Sequence, residues 1–554
     1  MRVLGLSGTF HDSAAALLVD GELVAFAQEE RFSRRKNDAS LPMRSAAFCL
    51  RQAGLTAADL DLVAWHEKPL LKLERVLLTS LRTWPFAPTA FRRAMVSMFG
   101  DKMWIRHHLV RDLGVDASRV VFAEHHASHA SAALGCSPFD DAAVLCVDGV
   151  GEWATTSTWN GTTPLNELHF PHSLGLLYSV FTAFLGFEVN EGEYKVMGLA
   201  GLGAPRYRDA LAKVMDRHAD GSFTLRMEHF RFHRDPDRSW EPSFEALFGA
   251  PRAPGAPLEE RHKDIAASIQ QLTEEILLDL ARRVHAETGK KNLCLGGGVA
   301  LNCVAVGRIL AEGPFDDVFV MPAAGDAGSA LGAALLAAGG LRAPLRHAAW
   351  GADIDPDATR RFLVDGGVPH REVDDPAAEA AERIARGEVI GWMQGRFELG
   401  PRALGQRSIL ANARDPATKD RLNPTVKHRE GFRPFAPSVL AEASASLFDL
   451  PRGGAWTRRF MTSTVRARDP DALPGAVHLD GTARVQEVHA DAQPLYARLL
   501  SEVGRRTGLP AVVNTSFNLA GEPMVASVAD GWSTFLRTDI DALMVGPFLV
   551  ERPA

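Results

Sequence analysis

The sequence predicts an α/β protein of two domains, the first internally duplicated, and three observations carry the prediction. A strand, a polar loop and a hairpin occur at residues 3–27 and again at residues 142–163. Helical segments alternate with these hairpins, which is the pattern of layered α/β folds. A change of composition over residues 339–350, GGLRAPLRHAAW, then sets off a further stretch of roughly 200 residues, an ordinary domain size. The first domain is accordingly assigned to residues 1–345 and the second to 346–554.

Each element rests on local chemistry. Residues 3–7 are apolar and strand-like, residues 8–12 form a polar loop, and residues 14–19 and 23–27 flank the turn pair Asp20-Gly21. Asp-Gly between two β-like runs is the strongest short hairpin signal. In the second copy the strand AAVLCVD enters the loop Gly149-Val150-Gly151-Glu152, and WATTSTW then reaches the turn pair Asn160-Gly161. Over residues 264–288 the apolar positions Ile265, Ile269, Leu272, Ile276, Leu277 and Leu280 keep helical spacing. A strand at 292–295 runs into Gly296-Gly297-Gly298 and a helix-like stretch at 299–310, and Gly325-Asp326-Ala327-Gly328 opens another at 329–338. Glycine turns at helix starts let backbone N–H groups approach an anion, with the helix dipole adding to the attraction. Residues 67–112 and 216–261 are rich in Trp, Phe, Met and Arg but weakly periodic, and are read as insertions.

Composition excludes several classes of function. With 46% apolar and 23% charged residues the chain is an ordinary globular one, and no apolar run approaches the roughly 20 residues of a spanning helix. The amino terminus meets His11 and Asp12 instead of a continuous hydrophobic stretch, so the protein is expected in the cytoplasm. Five cysteines without a Cys-x-x-Cys pair argue against a disulfide framework and against zinc ribbons. A net charge of −7 offers no field for a nucleic-acid backbone. Only 11 of the basic residues are lysines, which makes a lysine inside a motif more informative.

Several constellations carry chemistry. His125 and His129 stand four apart, so a helix would put both imidazoles on one face, with His126 as a competing choice. Asp148 and Asp326 follow an apolar run and a glycine turn in the same duplicated domain, where an acid is either a ligand or a helix cap. Two imidazoles and two carboxylates suit a divalent ion of intermediate hardness, iron or manganese more than zinc. Lys195 stands in EGEYKVMGLAG, which by itself reads equally as a helix start. The second domain carries Arg396, Arg402 and Arg407 in QGRFELGPRALGQRS and then Lys427, Arg429 and Arg433 in KHREGFRPFAPS. So much positive charge among shaped glycine and proline loops suggests a phosphate-rich ligand. Asn514 to Asn518, NTSFN, offers short polar side chains at a strand end, a position where α/β sheets bind ligands, though a turn reads the same way. Nucleophile elbow, Walker loop and Rossmann fingerprint are all missing from the sequence.

Together FHDSAAALL, QEERFSRRK, HHASHA, VDGVGEW, EYKVMGLA, GGGVALN, GDAGSALGAA, GPRALGQRS, REGFRPFAPS and NTSFN resemble the nodulation-type O-carbamoyltransferases, nearest to their tobramycin-modifying branch. The motifs run in order over nearly the whole chain. The resemblance implies an amino-terminal domain of actin-like ATPase fold, similar to threonylcarbamoyl-transfer proteins, and a carboxy-terminal domain that forms carbamoyl adenylate from carbamoyl phosphate and ATP. It implies carbamoyl phosphate binding by Arg402, Lys427, Arg484, Asn514 and Ser516, and a metal, iron with manganese or zinc as alternatives, on His125, His129, Asp148 and Asp326. Gly149, Gly151, Glu152, Gly297, Gly298 and Asn302 would line the first domain's nucleotide pocket, with Mg2+ accompanying ATP. Lys195 joins them, Lys36 would stand near the nucleotide phosphates, and His11 near the acceptor alcohol as general base.

Two other readings compete. A small-molecule kinase of the actin-like superfamily shares the duplicated hairpins but leaves the arginine-rich second domain without a purpose. A tRNA threonylcarbamoyl-type transferase fits the fold but not the net charge. The acceptor is left open, because residues 67–112, with Trp84, Phe86, Phe91, Met95, Met98, Phe99 and Trp104 beside nine Lys or Arg, suit an apolar or anionic acceptor and an oligomer contact equally. The oligomeric state is not legible.

Overall fold

The computed structural model describes residues 1–552 except Phe86 and His428, so Phe86 of the aromatic insertion and His428 of the second basic run lie outside the described residues. The chain divides into two compact units, residues 1–24 with 39–344 and residues 25–38 with 345–554. The excursion of residues 25–38 differs from the single boundary the sequence suggested. Arg31 and Arg34 tie this segment to the second unit, donating to the carbonyls of Gly400 at 2.8 Å and Met524 at 2.6 Å.

The first unit holds two five-stranded sheets. One has the order Glu22–Gln28, Ala14–Val19, Arg2–Ser7, Leu62–Trp65, Val120–Phe122. The other runs Thr163–His169, Ala154–Asn160, Ala143–Val147, Asn292–Gly296, Asp317–Val320. In each, the first strand pairs antiparallel with its hairpin partner on one side and parallel with a later strand on the other. The two sheets are therefore copies of one plan, the duplication expected of an actin-like ATPase fold. The turn at Asp20-Gly21 has φ of 51° and 89°, as a tight hairpin turn requires.

The helix that ends each copy covers the sheet of the other. His125–Gly135 follows the first sheet's last strand but packs on Ala143–Val147 and Asn292–Gly296. Asp326–Ala337 follows the second sheet's last strand but packs on Arg2–Ser7, Ala14–Val19 and Leu62–Trp65. The two helices also pack on each other, with so little room that a Cβ on Gly332 would lie 1.8 Å from the Ser128 carbonyl oxygen. Only glycine fits there.

Residues 67–112 form helices Pro69–Thr83, Pro88–Gly100 and Ile105–Leu113 between two parallel strands. Residues 216–261 include a two-stranded ribbon strand and the helix Pro242–Phe248, whose Phe244 and Phe248 pack against Phe181 and Phe184. The expected long helix spans Glu260–Thr288. Among the described residues no helix is long and apolar enough to cross a membrane.

The second unit is built on an eight-stranded mixed sheet with Ile390–Met393, Arg407–Asn412 and Ala511–Ser516 at its centre. Alternate residues of these strands face two separate cores. Ile390, Trp392, Leu410 and Val512 pack with Pro376–Ala385 and Pro494–Thr507, while Met393, Ile409, Ala411 and Val513 join the opposite core. The period of two along a strand thus buries both faces.

Candidate functional site

In the first unit four side chains converge from both copies. His125 and His129 lie one turn apart on the buried helix His125–Gly135, with their Nε2 atoms 3.2 Å apart. Asp148 follows the strand Ala143–Val147 directly, and its Oδ2 is 3.1 Å from His125 Nε2 and 3.7 Å from His129 Nε2. Asp326 is the first residue of its helix, and its Oδ1 is 3.6 Å and 3.4 Å from the same two nitrogens. One ligand atom from each residue lies within 4.8 Å of the others. The helix-cap alternative for Asp326 fails, because Gly325 takes the N-cap position and no side chain caps that end. His126, the competing histidine, is turned away and its Nδ1 meets Ser157 Oγ at 2.8 Å.

These residues fit a divalent ion. Asp326 Oδ1 is buried without a hydrogen-bond partner, although two imidazole nitrogens stand near it. Two imidazoles this close cannot both keep a proton on the facing nitrogens, whereas one cation between the four groups satisfies all of them. Without a cation a proton takes its place: burial opposes charge on His129, but bonds to Asp148 and Asp326 outweigh it and raise the imidazole to about 9. Asp148 stays well below the usual carboxylate range despite burial, because His125 and His129 bond it.

His11 stands beside this quartet on a loop where Thr9 and Asp12 adopt φ of 67° and 52°. Its Nδ1 meets Asp12 Oδ2 at 3.3 Å and its Nε2 lies 3.8 Å from Asp326 Oδ2. Burial pulls its pKa down, but the charge of Asp326 and the bond to Asp12 raise it to about 9. The glycines also cluster here. A Cβ on Gly151 would lie 2.1 Å from His125 Cδ2, and Gly298 N–H donates to Asp148 Oδ1 at 3.3 Å, next to Gly297. Gly149 has open space, with Leu176 Cδ2 at 3.8 Å from a built Cβ. Glu152 accepts the Lys68 N–H at 2.5 Å, and burial pushes its carboxyl up to about 7.

Asn302 caps the helix Cys303–Glu312 by accepting from the Ala305 N–H, and its amide also pairs with Gln270. The cap makes it a structural residue whatever else it touches. Lys195 lies over the Phe187 ring at 5.6 Å, on a helix whose Met197 reaches Cys303. The sequence reading missed His66, which follows the apolar strand Leu62–Trp65 just as Asp148 follows its own. Its Nε2 accepts from Gly8 N–H at 3.3 Å and its Nδ1 meets Ser329 Oγ at 2.8 Å. Its ring centre is 5.4 Å from that of His125, and burial pushes it down to about 4, so it is neutral.

The second unit gathers cations. Lys427 is buried and its Nζ donates to the Ser516 carbonyl at 2.8 Å and to the Asn518 carbonyl and Oδ1 at 2.8 and 2.7 Å. Burial holds its ammonium well below the usual lysine range, and the charges of Arg429, Arg433 and Lys36 add to that. Arg429, stacked on Phe435 at 4.5 Å, is pushed down to about 9 by burial and then by Arg433 and Arg484. Lys427, Ser516 and Arg484 therefore share one neighbourhood, and Lys36, of the same unit, is near enough for its charge to act on Lys427. Asn514 sits inside the central strand, its Nδ2 near the Ala403 carbonyl, Ser438 Oγ and Gln486 Oε1, which links it to Arg402 through the adjacent Ala403.

Two of the arginines read as ligand-binding have other duties. Arg407 is fully buried and donates to the carbonyls of Gln394, Gly395, Gln406, Ala352 and Ala526. Arg396 donates to the Gly351 and Trp350 carbonyls. They hold the loop in shape because burying backbone carbonyls unpaired is costly.

Comparison with known proteins finds two family models along the chain. Residues 2–335 match the family model described as carbamoyltransferase N-terminus, and residues 381–552 match carbamoyltransferase C-terminus. The nodulation protein NolNO of Sinorhizobium fredii is 40% identical over 570 residues, covering 99% of this chain and 80% of its own length. The nodulation protein NolO of Bradyrhizobium diazoefficiens is 41% identical over 448 residues, 78% of this chain and 79% of its own. An uncharacterized protein of Synechocystis is 42% identical over 599 residues, 100% of this chain and 97% of its own.

Proposed function

Since the chain belongs to the carbamoyltransferase family and is a transferase, we propose that it is an ATP-dependent O-carbamoyltransferase acting on a hydroxyl of a small molecule. The observation that carries this is His11, an imidazole whose Nε2 stands 3.8 Å from Asp326 of the buried quartet. In the first half-reaction carbamoyl phosphate and water give phosphate and carbamate, whose oxygen attacks the α-phosphorus of ATP and expels pyrophosphate. In the second, the acceptor oxygen attacks the carbamoyl carbon of the adenylate, AMP leaves and a carbamate ester forms.

The cations around Lys427 and Arg484 serve the first half-reaction. Carbamoyl phosphate and ATP are both anionic and must approach one another, and fixed positive charge lowers that repulsion. Ser516 and Asn518 hold the Lys427 ammonium in position through its hydrogen bonds. In the second half-reaction His11 Nε2 takes the proton of the acceptor hydroxyl while Asp12 fixes the ring through Nδ1. Asp326 and Asp12 keep a proton on His11 at neutral pH, so the imidazole becomes a base only when the Asp326 charge is shared. His125, His129, Asp148 and Asp326 would hold a divalent ion, iron by the donor set with manganese or zinc as alternatives, which supplies Lewis-acid charge beside the transferring group.

The test separates the half-reactions. Lys427→Ala or Arg484→Ala should abolish pyrophosphate release, the loss of a charge-stabilising group being worth about 2 to 4 kcal/mol. His11→Asn should leave pyrophosphate release and reduce carbamoylated product by about 100-fold or more. Loss of pyrophosphate release in His11→Asn as complete as in Lys427→Ala would sink the assignment.

A further inference from the structure

Phe10 is the residue before His11, and 52% of its surface is exposed, with its ring centre 4.6 Å from that of the imidazole. Two ammonium groups from the helical insertion approach the same ring, Lys72 Nζ at 5.9 Å and Lys102 Nζ at 5.7 Å from its centre. Arg75, one turn beyond Lys72, lies 5.0 Å from the centre of Phe170 and carries a buried Nε with no hydrogen-bond partner. A single buried carboxylate, Glu67, accompanies these cations, and it is spent on Lys72 at 2.6 Å. Lys102 makes no hydrogen bond or ion pair with any described residue. The charges feel one another: burial first, then Lys72 and Arg75, push the Lys102 ammonium down to about 8.

A protein surface does not normally gather three cations against one carboxylate, because like charges repel and a half-buried cation loses hydration without a partner. Here the excess charge lies beside the residue proposed as the base of carbamoyl transfer, around an exposed aromatic face of the kind that sugar rings and other C–H surfaces cover. We infer that the site admits an acceptor alcohol carrying a negative charge, a phosphate ester or a carboxylate, which seats on Lys102 and Arg75 while its carbon frame covers Phe10. This rests on the proposed transfer to a hydroxyl and names the acceptor class for it. The insertion is then a specificity element, its basic residues selecting the anion.

The test needs no turnover, so its failure is distinct from failure of the transfer reaction, which would show as missing pyrophosphate and carbamate product. The full-length protein is acetylated with acetic anhydride and the rate at Lys102 is followed by peptide mass spectrometry, with the exposed Lys213 as internal reference. Glycerol 3-phosphate, glycerate and glycerol are the probes, at equal concentration and constant ionic strength. An anionic probe should slow acetylation of Lys102 relative to Lys213 by about threefold at a concentration of twice its Kd. Glycerol should not, and Arg75→Gln should weaken the protection. Protection by the phosphate but not the carboxylate, or the reverse, names the anion. Equal rates with all three probes, or equal protection by glycerol, would overturn the inference.

Discussion

The substitution Gly151→Ala should empty the metal quartet without altering any ligand. A Cβ built on Gly151 falls 2.1 Å from His125 Cδ2 and 2.4 Å from its Cγ. Ordinary carbon contacts are about 3.5 Å, so the ring must retreat by roughly 1.4 Å. Metal–ligand distances tolerate only about 0.2 Å, so a shift of that size removes His125 from the set. Loss of an orienting group alone typically costs 10- to 100-fold in metal affinity, and loss of a ligand should reach or exceed that range. Gly149→Ala is the matched control. It lies two residues away on the same loop, but its added methyl would meet only Leu176 Cδ2 at 3.8 Å, an ordinary contact. The assay is metal content by elemental analysis after dialysis against graded chelator, with far-ultraviolet circular dichroism to verify folding. If Gly151→Ala retained as much metal as the parent, or if Gly149→Ala lost as much, the steric reasoning would be wrong.

Other outcomes follow from the same geometry. Arg407→Met should destabilise the second unit by about 3 to 5 kcal/mol, because a buried charge with several carbonyl partners leaves them all unpaired when removed. An unchanged urea midpoint would return Arg407 to ligand binding. The affinity of glycerol 3-phosphate at Lys102 should fall as pH rises through 8, where this lowered ammonium loses its charge, and not only near the ordinary lysine value of 10.5. Between about pH 7 and pH 9 the charged fraction, and with it the affinity, should drop by up to tenfold, so that a protection of about threefold falls nearly to one. A protection ratio flat over that interval would show that Lys102 does not hold the anion.

The quartet was legible because its signals are local. Two histidines four apart share a helix face, and Asp148 directly follows an apolar strand. His66 carries the same signal as Asp148, after LVAW, but a single histidine without a second at helical spacing gives no reason to single it out. Arginine content misled for a physical reason: a guanidinium bonded to five carbonyls and one facing a phosphate have the same sequence signature. Arg407 stands in the same motif as Arg402, and its guanidinium is committed to carbonyls. The grouping of Lys36 with Lys427 depends on residues 25–38 joining the second unit, a matter of long-range topology that no local pattern encodes. In residues 67–112 the mixture of Trp, Phe, Met and Arg concealed three helices that connect two parallel strands.

The exchange of the two terminal helices between copies bears on how such a site can arise. Helices that cover each other's sheet are the arrangement of a two-fold homodimer with swapped ends, here joined in one chain. His125 and Asp326 are the opening residues of those equivalent helices, and the His11 loop and the Asp148 loop follow the equivalent first strands. In a symmetric dimer every such position would be occupied twice by the same residue, giving two identical half-sites. Fusion into a single polypeptide frees the pairs to differ, so that one member becomes an imidazole and the other a carboxylate. The lopsided donor set, two nitrogens from one repeat and an oxygen from each of two places in the other, is the mark of symmetry that has been broken at its axis.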